Sequence, residues 1–65
     1  MIKRRELERY LRDNGCAPLR EGAKHSIWHN PQTGRRTSIP RHRDLPLTTA
    51  RAICAQLGIP PIGTN

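Results

Sequence analysis

Gly22-Ala23-Lys24-His25-Ser26-Ile27-Trp28-His29-Asn30-Pro31-Gln32-Thr33-Gly34-Arg35-Arg36-Thr37-Ser38-Ile39-Pro40 is the stretch on which the fold turns. His25 to Asn30 is β-prone through Ile27 and Trp28, and Asn30-Pro31-Gln32-Thr33-Gly34 is a run of turn formers. Arg35 to Ile39 then reads as the return strand, closed by Pro40. Upstream, Cys16-Ala17-Pro18-Leu19-Arg20-Glu21 suits a short strand that Pro18 confines to an edge or an irregular start. Three short strands in succession predict an antiparallel meander.

Outward from the meander the periodicity changes. In Lys3-Arg4-Arg5-Glu6-Leu7-Glu8-Arg9-Tyr10-Leu11-Arg12-Asp13-Asn14, the residues Leu7, Tyr10, Leu11 and Asn14 share one helical face. Glu6 and Glu8 lie toward the positive end of that helix, and Gly15 is placed to end it in a left-handed conformation. A second helix is predicted over Thr48 to Leu57, with Leu47, Ala50, Ile53, Cys54 and Leu57 on one face and Gly58 as its stop. Asp44, Thr48 and Thr49 are candidate caps, and Pro46 suits the first turn. The expected architecture is therefore α+β, helix–strand–strand–strand–helix, with a three-stranded antiparallel sheet carrying both helices on one face. The other face is left to solvent or a ligand. One domain is expected over residues 1–59, and residues 60–65, which show no periodicity, are expected to form a loose tail.

Composition narrows the function. The 65 residues hold 12 Lys and Arg against 5 Asp and Glu, a formal charge of +7, and Phe is absent. Ten of the cations are Arg, whose planar fork grips phosphate in a bidentate manner. A domain of this size buries only about 60% of its unfolded surface, which excludes a deep cofactor cleft but not a shallow site; no cofactor is expected. No run approaches the roughly 18 apolar residues of a membrane span. Met1-Ile2-Lys3-Arg4-Arg5 leads into Glu6 without the apolar stretch of a secretory signal, so the expected compartment is the cytoplasm and the expected partners exclude membranes. Cys16 and Cys54 fit neither a disulfide framework nor a zinc spacing and read as small buried hydrophobes.

The candidate chemistry lies near the meander. Along a strand, His25 and His29 stand about 13 Å apart, too far to ligate one ion, so a metal site is not expected. A single imidazole can serve as an acid or base near neutrality, and His25 follows a loop at the rim of the sheet. Ser26 beside it points to the opposite face of the strand and is a poor partner. Arg35, Arg36, Arg41 and Arg43 bracket the third strand, and Arg20 and Lys24 bracket the first. Their crowding beside Trp28 and the histidines makes a phosphate-binding face, which points to nucleic acid. Trp28 either stacks a base or belongs to the core; His42 either acts as a second acid or touches the ligand at the rim.

Taken together, these residues resemble the HicA-type toxins of bacterial toxin–antitoxin systems, small proteins that cleave mRNA. The likeness runs from Leu7, Leu11 and Gly15 through Ala23-Lys24-His25-Ser26-Ile27-Trp28-His29-Asn30-Pro31 to Gly34, Ile39-Pro40-Arg41-His42 and Ile53, Leu57 and Gly58. Ala23-Lys24 stand where the family has Gly-Ser before its histidine, with Gly22 one place earlier, and Cys16 stands where the family has an aromatic. The resemblance implies a fold like the double-stranded-RNA-binding domain, endoribonuclease activity with His25 as the catalytic residue, and neutralisation by a HicB-type antitoxin. On this reading His25 takes a ribose 2′-OH proton without a metal. Lys24 and Arg36 stabilise the charge on phosphorus, while Arg20, Arg41, His42 and Trp28 complete the RNA contacts. A non-catalytic RNA-binding module of the same fold is the alternative.

Overall fold

Strand β3 (His25–Asn30) runs down the middle of an antiparallel sheet, between β2 (Ala17–Glu21) and β4 (Arg35–Pro40). The computed structural model describes residues 1–63. Helix α1 (Arg4–Asp13) precedes the sheet and α2 (Leu47–Leu57) follows it, so the expected α+β order is the observed one. A short pairing that periodicity could not announce accompanies them. Strands β1 (Ile2–Lys3) and β5 (Asp44–Leu45) join antiparallel, Ile2 opposite Leu45 and Lys3 opposite Asp44.

Alternation along the strands builds the two layers. Ser26, Trp28 and Asn30 of β3 and Thr37 and Ile39 of β4 are buried, while His25, Arg36 and Ser38 between them are exposed. The buried set meets Leu7 and Leu11 of α1 and Ala50, Ile53, Cys54 and Leu57 of α2, with Leu45 alongside. Each fully buried Leu or Ile here contributes about 1.5–3 kcal/mol. Strands β3 and β4 pair without interruption from His25 opposite Pro40 to Asn30 opposite Arg35. On the other side the register with β2 shifts between Pro18 and Arg20, and Leu19, the extra residue, is left exposed.

Trp28 is the largest buried side chain, 1% exposed, and the Arg12 guanidinium covers its ring at 5.1 Å from the centroid. A base cannot stack on a ring enclosed in this way, so the base-stacking role expected as one option for Trp28 is corrected to a core role. Its indole N–H has no hydrogen-bond partner among the described residues.

The helix ends follow the glycines more closely than the expected polar caps. Gly15 and Gly58 take positive φ of 85° and 75°, and Gly58 is the C-cap of α2. Helix α2 begins at Leu47 behind Pro46 with no side-chain cap, because Asp44 is drawn into β5 instead. Past α2, the Tyr10 hydroxyl donates to the Pro60 carbonyl at 2.8 Å and Arg51 Nε to that of Ile62 at 3.3 Å. Ile62 is buried in the core. The loose tail expected for residues 60–65 is thus anchored through Ile62, while its last part, Thr64 and Asn65, lies outside the described residues.

Asn30 ties the β3–β4 turn to the end of α2. Its side-chain amide donates to the Leu57 carbonyl at 2.9 Å, and its Oδ1 accepts from the backbone N–H of Gln32 at 3.0 Å. Replacing Asn30 with Ala orphans both partners in a nearly dry site, and urea unfolding should show a loss of about 1–3 kcal/mol. The free thiols of Cys16 and Cys54 are both pushed up in pKa by burial. Cys54 raises Cys16 further, while backbone hydrogen bonds from Ile62 and from Cys54 itself partly offset the rise at Cys54. A raised folded-state pKa holds its full stabilising effect below the unfolded thiol value and loses it as pH climbs through the folded one. Stability should therefore decline above about pH 8.5, and iodoacetamide should label the thiols at neutral pH only as fast as the chain opens.

Candidate nucleic-acid interface

The strand positions that do not face the helices form the open side of the sheet. Across it His25 lies opposite Pro40, Ile27 lies between Arg20 and Ser38, and His29 lies between Ala17 and Arg36. At the β2–β3 end a shallow depression of about 320 Å³ is lined by Arg20, Gly22, Ala23, Lys24, His25 and Ile27. His25 is the first residue of β3, exposed, and displayed on this rim by the preceding turn.

The turn is tight for a reason visible in its backbone. The Gly22 N–H donates to the His25 carbonyl at 2.8 Å, and a Cβ at position 22 would come 2.9 Å from that same oxygen. Only glycine lets the two strands close there. This accounts for a glycine at 22 while Ala23 and Lys24 occupy the turn itself. Arg41 then clamps the turn from the β4 side. Its Nη1 donates to the Gly22 carbonyl at 3.1 Å and pairs with Glu21 Oε2 at 3.1 Å, and its backbone N–H donates to the Lys24 carbonyl at 3.1 Å. Glu21 is held in turn by the buried Ser26 hydroxyl, which donates to its Oε1 at 3.3 Å. An exposed ion pair alone is worth little, but here one side chain ties a carboxylate and a turn carbonyl together.

The residues expected at the site divide into three groups. Arg20, Lys24 and His25 share the depression, with Arg41 directly behind the turn. Arg36 lies opposite His29, four residues along β3 from His25, or about 13 Å of strand. Arg36 therefore stands apart from the depression, whereas Arg20 lines it together with Lys24 and His25. His42 is exposed two residues past Pro40 in the link to β5, and Trp28 is buried beneath the sheet. No carboxylate is ion-paired with His25 among the described residues, nor do they include a group of three or more His, Cys, Asp or Glu able to hold a metal.

Sequence reasoning missed Glu21 and the clamping use of Arg41, because both depend on strands that meet only after folding. Gly22 had a visible signal, a glycine immediately before the turn. A Gly22→Ala variant should lose about 1–3 kcal/mol and displace the backbone amide resonances of Lys24 and His25, read by heteronuclear NMR against those of β4 as a reference.

Compared with known proteins, residues 4–59 match the family model described as the HicA toxin of bacterial toxin–antitoxin. No curated protein and no solved structure matches the chain significantly. The matched region takes in both helices, the whole sheet and the depression at His25. The chain belongs to the HicA toxin family of bacterial toxin–antitoxin systems, and an antitoxin is accordingly its partner.

Proposed function

We propose that this protein is an endoribonuclease that cleaves mRNA with His25 as its catalytic residue and is neutralised by a HicB-type antitoxin. The observation that carries the reading is an exposed imidazole in a shallow basic depression with Arg20 and Lys24. Such a site suits a substrate that brings its own nucleophile. His25 removes the proton from a ribose 2′-OH, and the 2′-oxygen attacks the adjacent phosphorus. The new bond is O2′–P and the bond that breaks is P–O5′. The products are a 2′,3′-cyclic phosphate and a 5′-hydroxyl, whose proton comes from water, which the open face admits. Lys24 and Arg20 are placed to stabilise the charge that builds on the non-bridging oxygens. His42 and Arg36 contact the RNA to either side, and Arg41 positions the turn. DNA lacks the 2′-OH and is left intact.

Family membership supports the antitoxin half of the proposal. A net charge of +7 favours an acidic HicB-type partner, and one seated over His25 would neutralise the phosphate-binding face while it blocks the base. In this scheme the toxin acts in the cytoplasm, where mRNA is found.

The decisive test incubates purified protein with single-stranded RNA in EDTA between about pH 6 and 8, beside His25→Ala. Cleavage by the native chain, with the variant slower by about 100-fold or more, is the expected outcome. RNA that is bound but never cut by the native chain would instead make this a non-catalytic RNA-binding module.

A further inference from the structure

A second cationic hollow lies on the side of the molecule where the chain begins. It measures about 240 Å³ and is lined by Lys3, Arg4, Arg5, Arg41 and Arg43. The β1–β5 pairing creates it. The Arg4 N–H donates to the Arg43 carbonyl at 2.8 Å, which draws the first residues of the chain against the link between β4 and β5. Five of the chain's twelve cations therefore border one small space.

Like charges gathered in this way repel one another unless something answers them. Arg4 is answered by Glu8 at 3.5 Å and Arg41 by Glu21 at 3.1 Å. Lys3, Arg5 and Arg43 have no ion pair among the described residues, and Asp44, opposite Lys3 in register, forms none with it. The lining also lacks any aliphatic or aromatic residue, so an acidic peptide would find no place to bury an anchoring side chain. Phosphate needs only what is present: several positive donors converging from different directions, most of them guanidinium forks. Helix α1 begins at the edge of the hollow with no side-chain cap on Lys3, which adds the positive end of its dipole.

Arg41 joins this hollow to the depression at His25. It lines the one and clamps Gly22 and Lys24 of the other, so a single arginine separates the two sites. We propose that the Lys3, Arg4, Arg5, Arg41 and Arg43 hollow is a second phosphate site, which grips the sugar–phosphate backbone of a single RNA strand beyond the nucleotides at His25. The inference rests on the RNA reading of the His25 face and extends it to a continuous track. Cleavage of very short RNA then relies on the first site alone, whereas longer RNA gains affinity from both.

The test measures binding by fluorescence anisotropy, using 2′-O-methyl RNA that cannot be cleaved, in lengths of about four and about twelve nucleotides. The native chain is compared with an Arg5→Gln/Arg43→Gln double variant and with an Arg9→Gln/Arg51→Gln control of equal charge, at exposed positions outside both basic sites, after thermal melting shows all three folded. The hollow variant should bind the longer RNA about tenfold more weakly, with a salt dependence shallower by roughly 1.4 for two lost phosphate contacts, and bind the shorter RNA as before. Equal behaviour of the hollow variant and the control would overturn the proposal. So would a variant that keeps its RNA affinity but loses affinity for a Glu/Asp decapeptide, which would assign the hollow to a protein partner. Length-dependent binding by a native chain that never cuts unmodified RNA would leave the hollow standing and remove the nuclease reading alone.

Discussion

A strand can turn only alternate side chains toward the helices, and in β3 that rule decides both halves of the molecule. Trp28 and Asn30 are the members of the inward set on which most depends: one fills the core beneath the sheet, and the other fastens the β3–β4 turn to the end of α2. Among the described residues no second layer covers the opposite face, so His25, Ile27 and His29 are left on the open side. A shift of one residue in the β3–β4 register would bury the imidazoles and expose the indole. The uninterrupted pairing from His25 to Asn30 guards against such a shift, and the irregularity is confined to the outer strand β2.

Charge on this scaffold is arranged in two places, with Arg41 between them. At the β2–β3 turn, Glu21 is the acceptor around which Ser26 and Arg41 are organised, which leaves Arg20 and Lys24 beside His25. At the β1–β5 edge, cations accumulate with fewer answering carboxylates. The same arginine serves both places because it leaves β4 just past Pro40, the residue that faces His25 across the sheet. Two basic regions linked in this way suit the extended polyanion of the RNA proposed as substrate.

Much of the fold was legible in the residues themselves. The 3.6-residue spacing of Leu7 and Leu11 and of Ala50, Ile53 and Leu57, the Asn30-to-Gly34 turn and the stops at Gly15 and Gly58 each found their expected place. Other features were not legible. Strands β1 and β5 are two residues long and show no period. Ile62 anchors the chain past α2 as a single apolar residue among prolines and glycines. At the site, His25 on a basic rim was readable from the pattern, whereas the distance of Arg36 along the sheet and the burial of Trp28 follow from register and from which face the helices chose.

The sequence alone determined the order of the two helices and the three sheet strands, the alternation that sets His25 and Trp28 on opposite faces, the glycine stops and the cationic excess. These depend on backbone dihedrals and on periodicities that neighbouring residues carry with them. Only the tertiary structure decided which charges become neighbours. Lys3, Arg4 and Arg5 meet Arg41 and Arg43 because an N-terminal strand closes on a distant one, and Arg41 holds the His25 turn because β4 ends beside it. Contacts of that kind depend on chain closure across many residues, and no local pattern records which ends will meet.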